Sequence, residues 1–192
     1  MARPKEFDRD TALMHAIGIF SQHGYEGTST AALVDAMGIG RQSLYATFGD
    51  KWQLYLEAVQ RYTADSIGAQ LRTLNVGRTS LEGIKSHLDH MVEDAIADPA
   101  PSCLGVSAIC EFGYSNPELA KLSEHAGHAL RTALEHRIAE GKADGSVAAD
   151  INVREAANFI QAALVGIKVA ARGGASAASL RGIARMALRS LG

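Results

Sequence analysis

Apolar residues along this chain recur at separations of three and four and nowhere in sustained alternation of two. The pattern therefore predicts helices throughout and no strands. A first helix is predicted over 8–23, with Leu13, Ala16, Ile17 and Phe20 on one face and Gly24 ending it in the left-handed conformation. Thr28 reads as the N-cap of a short helix over 29–37, Gly38 breaks that helix, and a second short helix follows over 40–47. Asp50 caps a long fourth helix over 51–74. After the turn Asn75-Val76-Gly77, Ser80 opens a fifth helix ending near Asp98, and Pro99-Ala100-Pro101 makes a rigid linker. The sixth helix, over 102–114, is nearly all apolar, so burial on most sides is expected. Asn116-Pro117 supplies the N-cap and first residue of a seventh helix that runs to Glu140, and 141–150 reads as a loop around Gly145. Helices over 153–171 and 176–191 follow, separated by Gly173-Gly174.

The stretch from Thr28 to Thr47 carries the most specific pattern. Two short helices joined only by Gly38-Ile39 match the helix-turn-helix arrangement, and Ala32, Leu33, Ala36, Ile39 and Leu44 have the spacing to pack the pair together. The second helix then exposes Arg41, Gln42, Ser43 and Tyr45. Arg reads guanine bidentately, Gln suits adenine, and Ser and Tyr hold phosphates. Thr28 and Thr30 stand at one helix N-terminus and Lys51 at another, where hydroxyls, free N–H groups and a cation favour phosphate. An ordinary helical hairpin with solvated polar residues has the same spacing, and from spacing alone the two readings stand about even.

Charge at first argues against nucleic acid, because the chain of 192 residues has a formal net charge of -2. The charge is unevenly spread, however. Residues 1–61 carry six Lys/Arg against seven Asp/Glu, residues 62–150 carry seven against thirteen, and residues 151–192 carry six against Glu155 alone. The total reports poorly on any one surface, and a dimer that doubles the phosphate contacts tolerates a near-neutral reading segment. A hydrophobic share of 47% and a charged share of 21% fit a globular chain. There is no membrane-length apolar run and no secretory leader pattern, and two cysteines are too few for a disulfide framework, so a cytoplasmic location is expected.

Phe20, Gly24-Tyr25, Thr28-Ser29-Thr30, Leu33, Gly38-Ile39, Leu44-Tyr45, Phe48, Lys51 and Leu54 resemble, in order and spacing, the N-terminal domain of TetR-family transcriptional regulators over roughly residues 8–56. The run from Gly40 to Lys51 resembles one branch of that family, with two departures: Gly40 stands where Ser is commoner, and Thr47 where His or Tyr is. The resemblance implies an all-α homodimer with a three-helix helix-turn-helix DNA-binding domain (1–50) and a larger helical effector-binding and dimerisation domain (51–192). The implied DNA contacts are Thr28, Thr30, Gly40, Arg41, Gln42, Ser43, Tyr45, Thr47 and Lys51. The implied partners are a pseudo-palindromic double-stranded operator and a small molecule that releases it, with no membrane.

The second half offers less. Small residues at Ala156, Ala157, Ala162, Ala163, Gly166, Ala170, Ala184 and Ala187 let two helices approach others closely, and with the resemblance they imply a four-helix dimer interface. Arg181, Arg185 and Arg189 share one face, either as a solvated edge or paired with the acidic middle segment. Candidate effector contacts are Tyr62, Met91, Cys103, Ile109, Phe112 and Phe159, a mostly apolar set that fits an apolar or aromatic molecule. Cys103 begins the sixth helix, where a thiol is acidified, so an oxidant- or electrophile-sensing repressor is an alternative. Cys110 stands seven residues on, ~10 Å along a helix and too far for a disulfide with it. His87 and His90, like His125 and His128, are three apart without a third ligand at metal-site spacing, and solvated histidines are expected. No phosphate-cradling glycine loop, nucleophile elbow or metalloprotease motif is present, so neither an enzyme nor a cofactor is expected. A helical small-molecule carrier or enzyme that has lost DNA binding is the remaining alternative.

Overall fold

The structure is a computed structural model that describes residues 7–97 and 103–192. Among the described residues there are nine helices and no strand: α1 Arg9–His23, α2 Thr30–Met37, α3 Arg41–Phe48, α4 Lys51–Leu74, α5 Ser80–Ala97, α6 Leu104–Phe112, α7 Pro117–Asp144, α8 Val153–Arg172 and α9 Ala177–Arg189. The all-helical expectation holds. The Pro99-Ala100-Pro101 linker and the ends expected at Asp98 and Ser102 lie outside the described residues.

Local chemistry accounts for most helix ends. Asp8 accepts hydrogen bonds from the N–H groups of Asp10 and Thr11 and starts α1, and Asp50 accepts from Gln53 N at 2.9 Å and starts α4. Asn116 starts α7, Asn152 starts α8 and Ser176 starts α9 in the same way. Gly24 and Gly38, with φ of 69° and 65°, close α1 and α2 in the region that favours glycine.

Three expectations are corrected. Ser29, not Thr28, caps α2: its Oγ accepts from Ala32 N, while the buried Thr28 hydroxyl donates to the Gly24 carbonyl at 2.6 Å. Helix α7 runs through Gly141 to Asp144, because Gly141 serves close packing and not a turn. A Cβ there would stand 2.5 Å from Val147 Cγ2, and the helix ends before Gly145, where φ is +79°. Helix α6 is not buried on most sides, since Leu104 and Ala108 face inward while Ile109, Cys110 and Glu111 are exposed.

The described residues form two compact units. One comprises residues up to Ala64 together with Cys103–Ser123, and its core gathers Leu13, Ala16, Phe20, Leu33, Leu44, Phe48, Leu54, Tyr55, Leu104 and Leu119. The other runs from Asp65 through α5 and takes in Glu124–Gly192, with a core of Leu74, Ile84, Leu88, Met91, Leu134, Ile138, Ile160, Leu164, Ile167 and Leu180. Among the described residues, no helix is long and apolar enough to cross a membrane.

Candidate nucleic-acid interface

The turn between α2 and α3 is Gly38-Ile39-Gly40. The left-handed Gly38 donates its N–H to Asp35 O, and Ile39 donates to Val34 O at 3.3 Å, so the chain reverses within one residue of the helix end. Leu33, Met37, Ile39, Leu44 and Phe48 are all buried and join α2 and α3 to the core that α1 supplies with Phe20 and Ala16. This burial fixes the rotation of α3. With Leu44 and Phe48 inward, Arg41, Gln42 and Tyr45 stand outward, and the Tyr45 side chain is 49% exposed. Ser43 and Thr47 flank that face at intermediate exposure, as does Thr30 at the start of α2. Gly40 has no side chain to cap α3, and the first-turn N–H groups are left for an external acceptor such as a phosphate. Its φ of -77° is ordinary, and a Cβ there would meet nothing within 4 Å, so no steric demand requires glycine.

Two expected phosphate contacts also make contacts within the fold. Thr28 is 2% exposed, and its hydroxyl is engaged by the Gly24 carbonyl, so it braces the turn before α2. The Lys51 ammonium lies 4.1 Å from the centre of the Tyr25 ring in a cation–π contact and remains partly exposed.

Sequence reasoning missed the structure that holds this segment from behind. Tyr25, Trp52, Tyr55 and Phe112 form an aromatic cluster, with Tyr25 5.2 Å from Trp52 and 5.8 Å from Phe112 between ring centroids. Glu111, the residue before Phe112, accepts the N–H of Tyr25 at 2.9 Å and of Glu26 at 2.7 Å, one on each carboxylate oxygen. Gly24 makes room for this grip, since a Cβ there would sit 2.9 Å from Glu111 Oε2. Burial, then the nearby carboxylates of Asp50, Glu26 and Glu111, push the Tyr25 phenol above its ordinary pKa, and burial does the same to Tyr55. On the other side Arg9 pairs with both oxygens of Glu57 at 2.7 and 2.8 Å and lies 4.8 Å from the centre of the Phe48 ring, tying α1, α3 and α4. The one sequence signal for Glu111 is that it is the only charged residue in α6.

The candidate effector contacts are divided between the two units. Tyr62, Cys103, Ile109 and Phe112 belong to the first unit, and Met91 and Phe159 to the second. Phe112 is part of the aromatic cluster, Cys103 is the N-cap residue of α6, and Ile109 is 53% exposed. Met91 is core, whereas Phe159 is 51% exposed on α8. Among the histidines, His90, His125 and His128 are exposed as expected, but His87 of α5 is fully buried, with its Nδ1 2.8 Å from the Thr73 hydroxyl of α4. No group of three metal-ligating side chains occurs among the described residues. Of the arginines on α9, Arg181 pairs with Glu93 of α5 at 2.9 Å, a contact to the acidic middle segment on an exposed surface.

Residues 13–58 match the family model described as bacterial regulatory proteins, tetR family. The chain is 36% identical over 149 residues to YezE of Bacillus subtilis (strain 168), described as an uncharacterized HTH-type transcriptional regulator, across 77% of this chain and 76% of that one. It is 29% identical to the HTH-type transcriptional repressor ComR of Escherichia coli (strain K12), across 97% of this chain and 90% of that one. Its fold is similar to that of a cysteine-substituted form of the TetR-family transcriptional regulator CifR, solved with 26-bp double-strand operator DNA. That match has a TM-score of 0.86 and 33% identity over 99% of this chain and 100% of the other.

Proposed function

The chain belongs to the TetR family of DNA-binding transcriptional regulators, which are not enzymes, and on that premise we propose that it is a cytoplasmic repressor released from its operator by a small apolar or aromatic effector. The observation that carries this reading is the orientation of α3. Leu44 and Phe48 are locked into the core, so Arg41, Gln42 and Tyr45 project outward along one face. Arg41 and Gln42 read base edges in the major groove, while Ser43, Tyr45, Thr47, Thr30 and Lys51, with the open N-terminus at Gly40, hold phosphates. Thr28 contributes by bracing the turn.

In this reading residues 1–50 supply the DNA face and residues 51–192 bind effector and dimerise. Phe159, Val165 and Val169 on α8 and Met186 on α9 are large apolar side chains left exposed in the single chain, and a second copy covers them. Two copies set their α3 helices one DNA turn apart, about 34–36 Å, on a pseudo-palindromic site. Effector binding shifts α4, which starts at Lys51, so that the two α3 helices no longer fit successive grooves together.

A second reading is favoured by one observation. Cys103 is the N-cap of α6, the helix whose far end carries the Glu111 grip, so modification of that thiol in an oxidant-sensing repressor acts directly on the turn before α2. A gel-shift assay with the DNA flanking its own gene tests the main reading. Specific, salt-sensitive retention is expected, and absence of retention by any flanking fragment rejects the regulator. Loss of retention on mild oxidation that disappears in Cys103→Ser selects the thiol reading instead.

A further inference from the structure

Within the second unit, Leu74 at the end of α4 shares an apolar core with Ile84, Leu88, Met91 and Val92 of α5, yet a chain of hydrogen-bonded polar groups along α4 reaches α5. On α4, Ser66, Gln70 and Thr73 follow one another at helical spacing. Gln70 Nε2 donates to Ser66 Oγ at 3.1 Å, and the Thr73 hydroxyl donates to the Gln70 carbonyl at 2.8 Å. On α5, His87 is 0% exposed, and its Nδ1 lies 2.8 Å from the same Thr73 oxygen. The Thr73 hydroxyl has one proton, so the tautomer that makes both contacts hydrogen bonds gives that proton to Gln70 and has Nδ1 carry the imidazole proton and donate to Thr73. Nε2 is then a bare lone pair, buried, and among the described residues no group donates to it.

Keeping this acceptor inside an apolar core is costly, and a leucine of similar size would remove the cost. Burial, and then the positive charges of His90 and Lys168, hold the imidazole neutral, so Nε2 stays an acceptor at ordinary pH. The side chains one turn either way along α5 are Ile84 and Met91, both core. A partner for this group therefore combines a proton donor with an apolar body.

We propose that His87 is the hydrogen-bond anchor for the effector, which is a small neutral molecule carrying a hydroxyl on an apolar or aromatic body, the hydroxyl donating to His87 Nε2. This rests on the effector-responsive reading above and names the chemistry of its ligand. A carboxylate is excluded as the anchored group because, ionised, it has no proton to donate.

The test uses the full chain labelled with nitrogen-15 in its histidines, and phenol as the probe, with anisole as the donor-free match and benzoate as the anionic one. The His87 ring resonances are assigned by their loss in His87→Leu. The expected result is a saturable movement of the Nε2 resonance with phenol and none with anisole or benzoate. A rise in Tm with phenol is expected in the wild type, absent in His87→Leu and regained in part in His87→Gln, which restores an acceptor. His87→Leu without ligand should keep or raise its Tm, whereas a merely structural histidine would lower it. An unmoved Nε2 resonance up to the solubility of phenol, an equal movement with anisole or benzoate, or a phenol-induced rise in Tm that survives in His87→Leu overturns the anchor. DNA retention without phenol separates the two claims. If the flanking DNA is not bound, the regulator reading fails whatever phenol does; if DNA is bound and the phenol results are negative, only the anchor fails.

Discussion

Glu111 holds the backbone of Tyr25 from 86 residues away in the chain, with 2.9 Å between the Tyr25 nitrogen and Oε2, and its other oxygen takes the N–H of Glu26 at 2.7 Å. Two backbone donors at the end of α1 are thus satisfied by one carboxylate on α6. Glu111→Ala should destabilise the protein by about 1–2 kcal/mol, the loss of two charge-assisted bonds on an exposed surface. Glu111→Gln, which keeps one acceptor, should cost about half of that. Faster hydrogen exchange confined to the amides of Tyr25 and Glu26 is the signature to look for, and unchanged exchange there would show that the grip does not persist in solution.

Arg41→Ala should weaken operator binding by about 1–3 kcal/mol, roughly 5- to 150-fold, and relax sequence preference, with Tm unchanged because the side chain is exposed. Tyr45→Phe removes only a hydroxyl and should weaken binding to specific and non-specific DNA alike. Titrations at two salt concentrations, alongside thermal melts, distinguish a lost DNA contact from a lost fold.

Gly40→Ser should fold normally, since a side chain there meets nothing within 4 Å and the backbone is already in the extended conformation of an N-cap. Its hydroxyl can cap α3, with a gain of a few tenths of a kcal/mol, about the known difference between Ser and Gly at this position. A fall in Tm would mean that glycine is needed for a contact absent from the single chain.

His87 gives the stability a dependence on pH. Burial, His90 and Lys168 pull its pKa down to about 4 from an ordinary 6.5, so the unfolded chain takes up a proton that the folded chain refuses. The stabilisation is fully present above pH 6.5, is lost as the pH falls towards about 4, and declines no further from this group below that. Melts of wild type and His87→Leu across that window should move apart as the pH falls, because the wild type loses stability that the variant keeps. Parallel curves would show that His87 titrates normally.

Phe159→Asp on α8 should leave the chain folded, because that side chain is half exposed, and should abolish the dimer. Light scattering of the variant as a monomer with wild-type helicity is the expected result. A dimer of unchanged stability would place the interface elsewhere.

The helix-turn-helix was legible because its determinants are local: a two-residue turn, a left-handed glycine, and apolar residues spaced to face one core. The cap of α2 was misplaced by one residue because Thr28 and Ser29 carry equivalent hydroxyls, and only burial decides which one turns inward to Gly24. Gly141 looked like a loop residue, but its lack of a side chain serves Val147, six positions on, in a packing relation that composition does not reveal. His87 and His90 look alike in sequence and differ in fate because Thr73, on another helix, lies over only one of them. The aromatic cluster and the Glu111 grip were illegible for the same reason, since their members come from α1, α4 and α6, and no local period links Tyr25 to Phe112.

Because α6 and the start of α7 return to complete the first core, with Leu104 and Leu119 in one cluster with Phe20 and Tyr55, the helix-turn-helix of this protein is not a detachable module. A gene fragment ending after α3 would lack Leu54, Tyr55, Ala58, Leu104 and Ala108 from its own interior. Grafting a new reading head onto such a protein by recombination therefore requires a compatible α6 as well. On the proposed reading of α3, evolution of operator preference is accordingly freest at its exposed positions, where side chains can change without renegotiating the core.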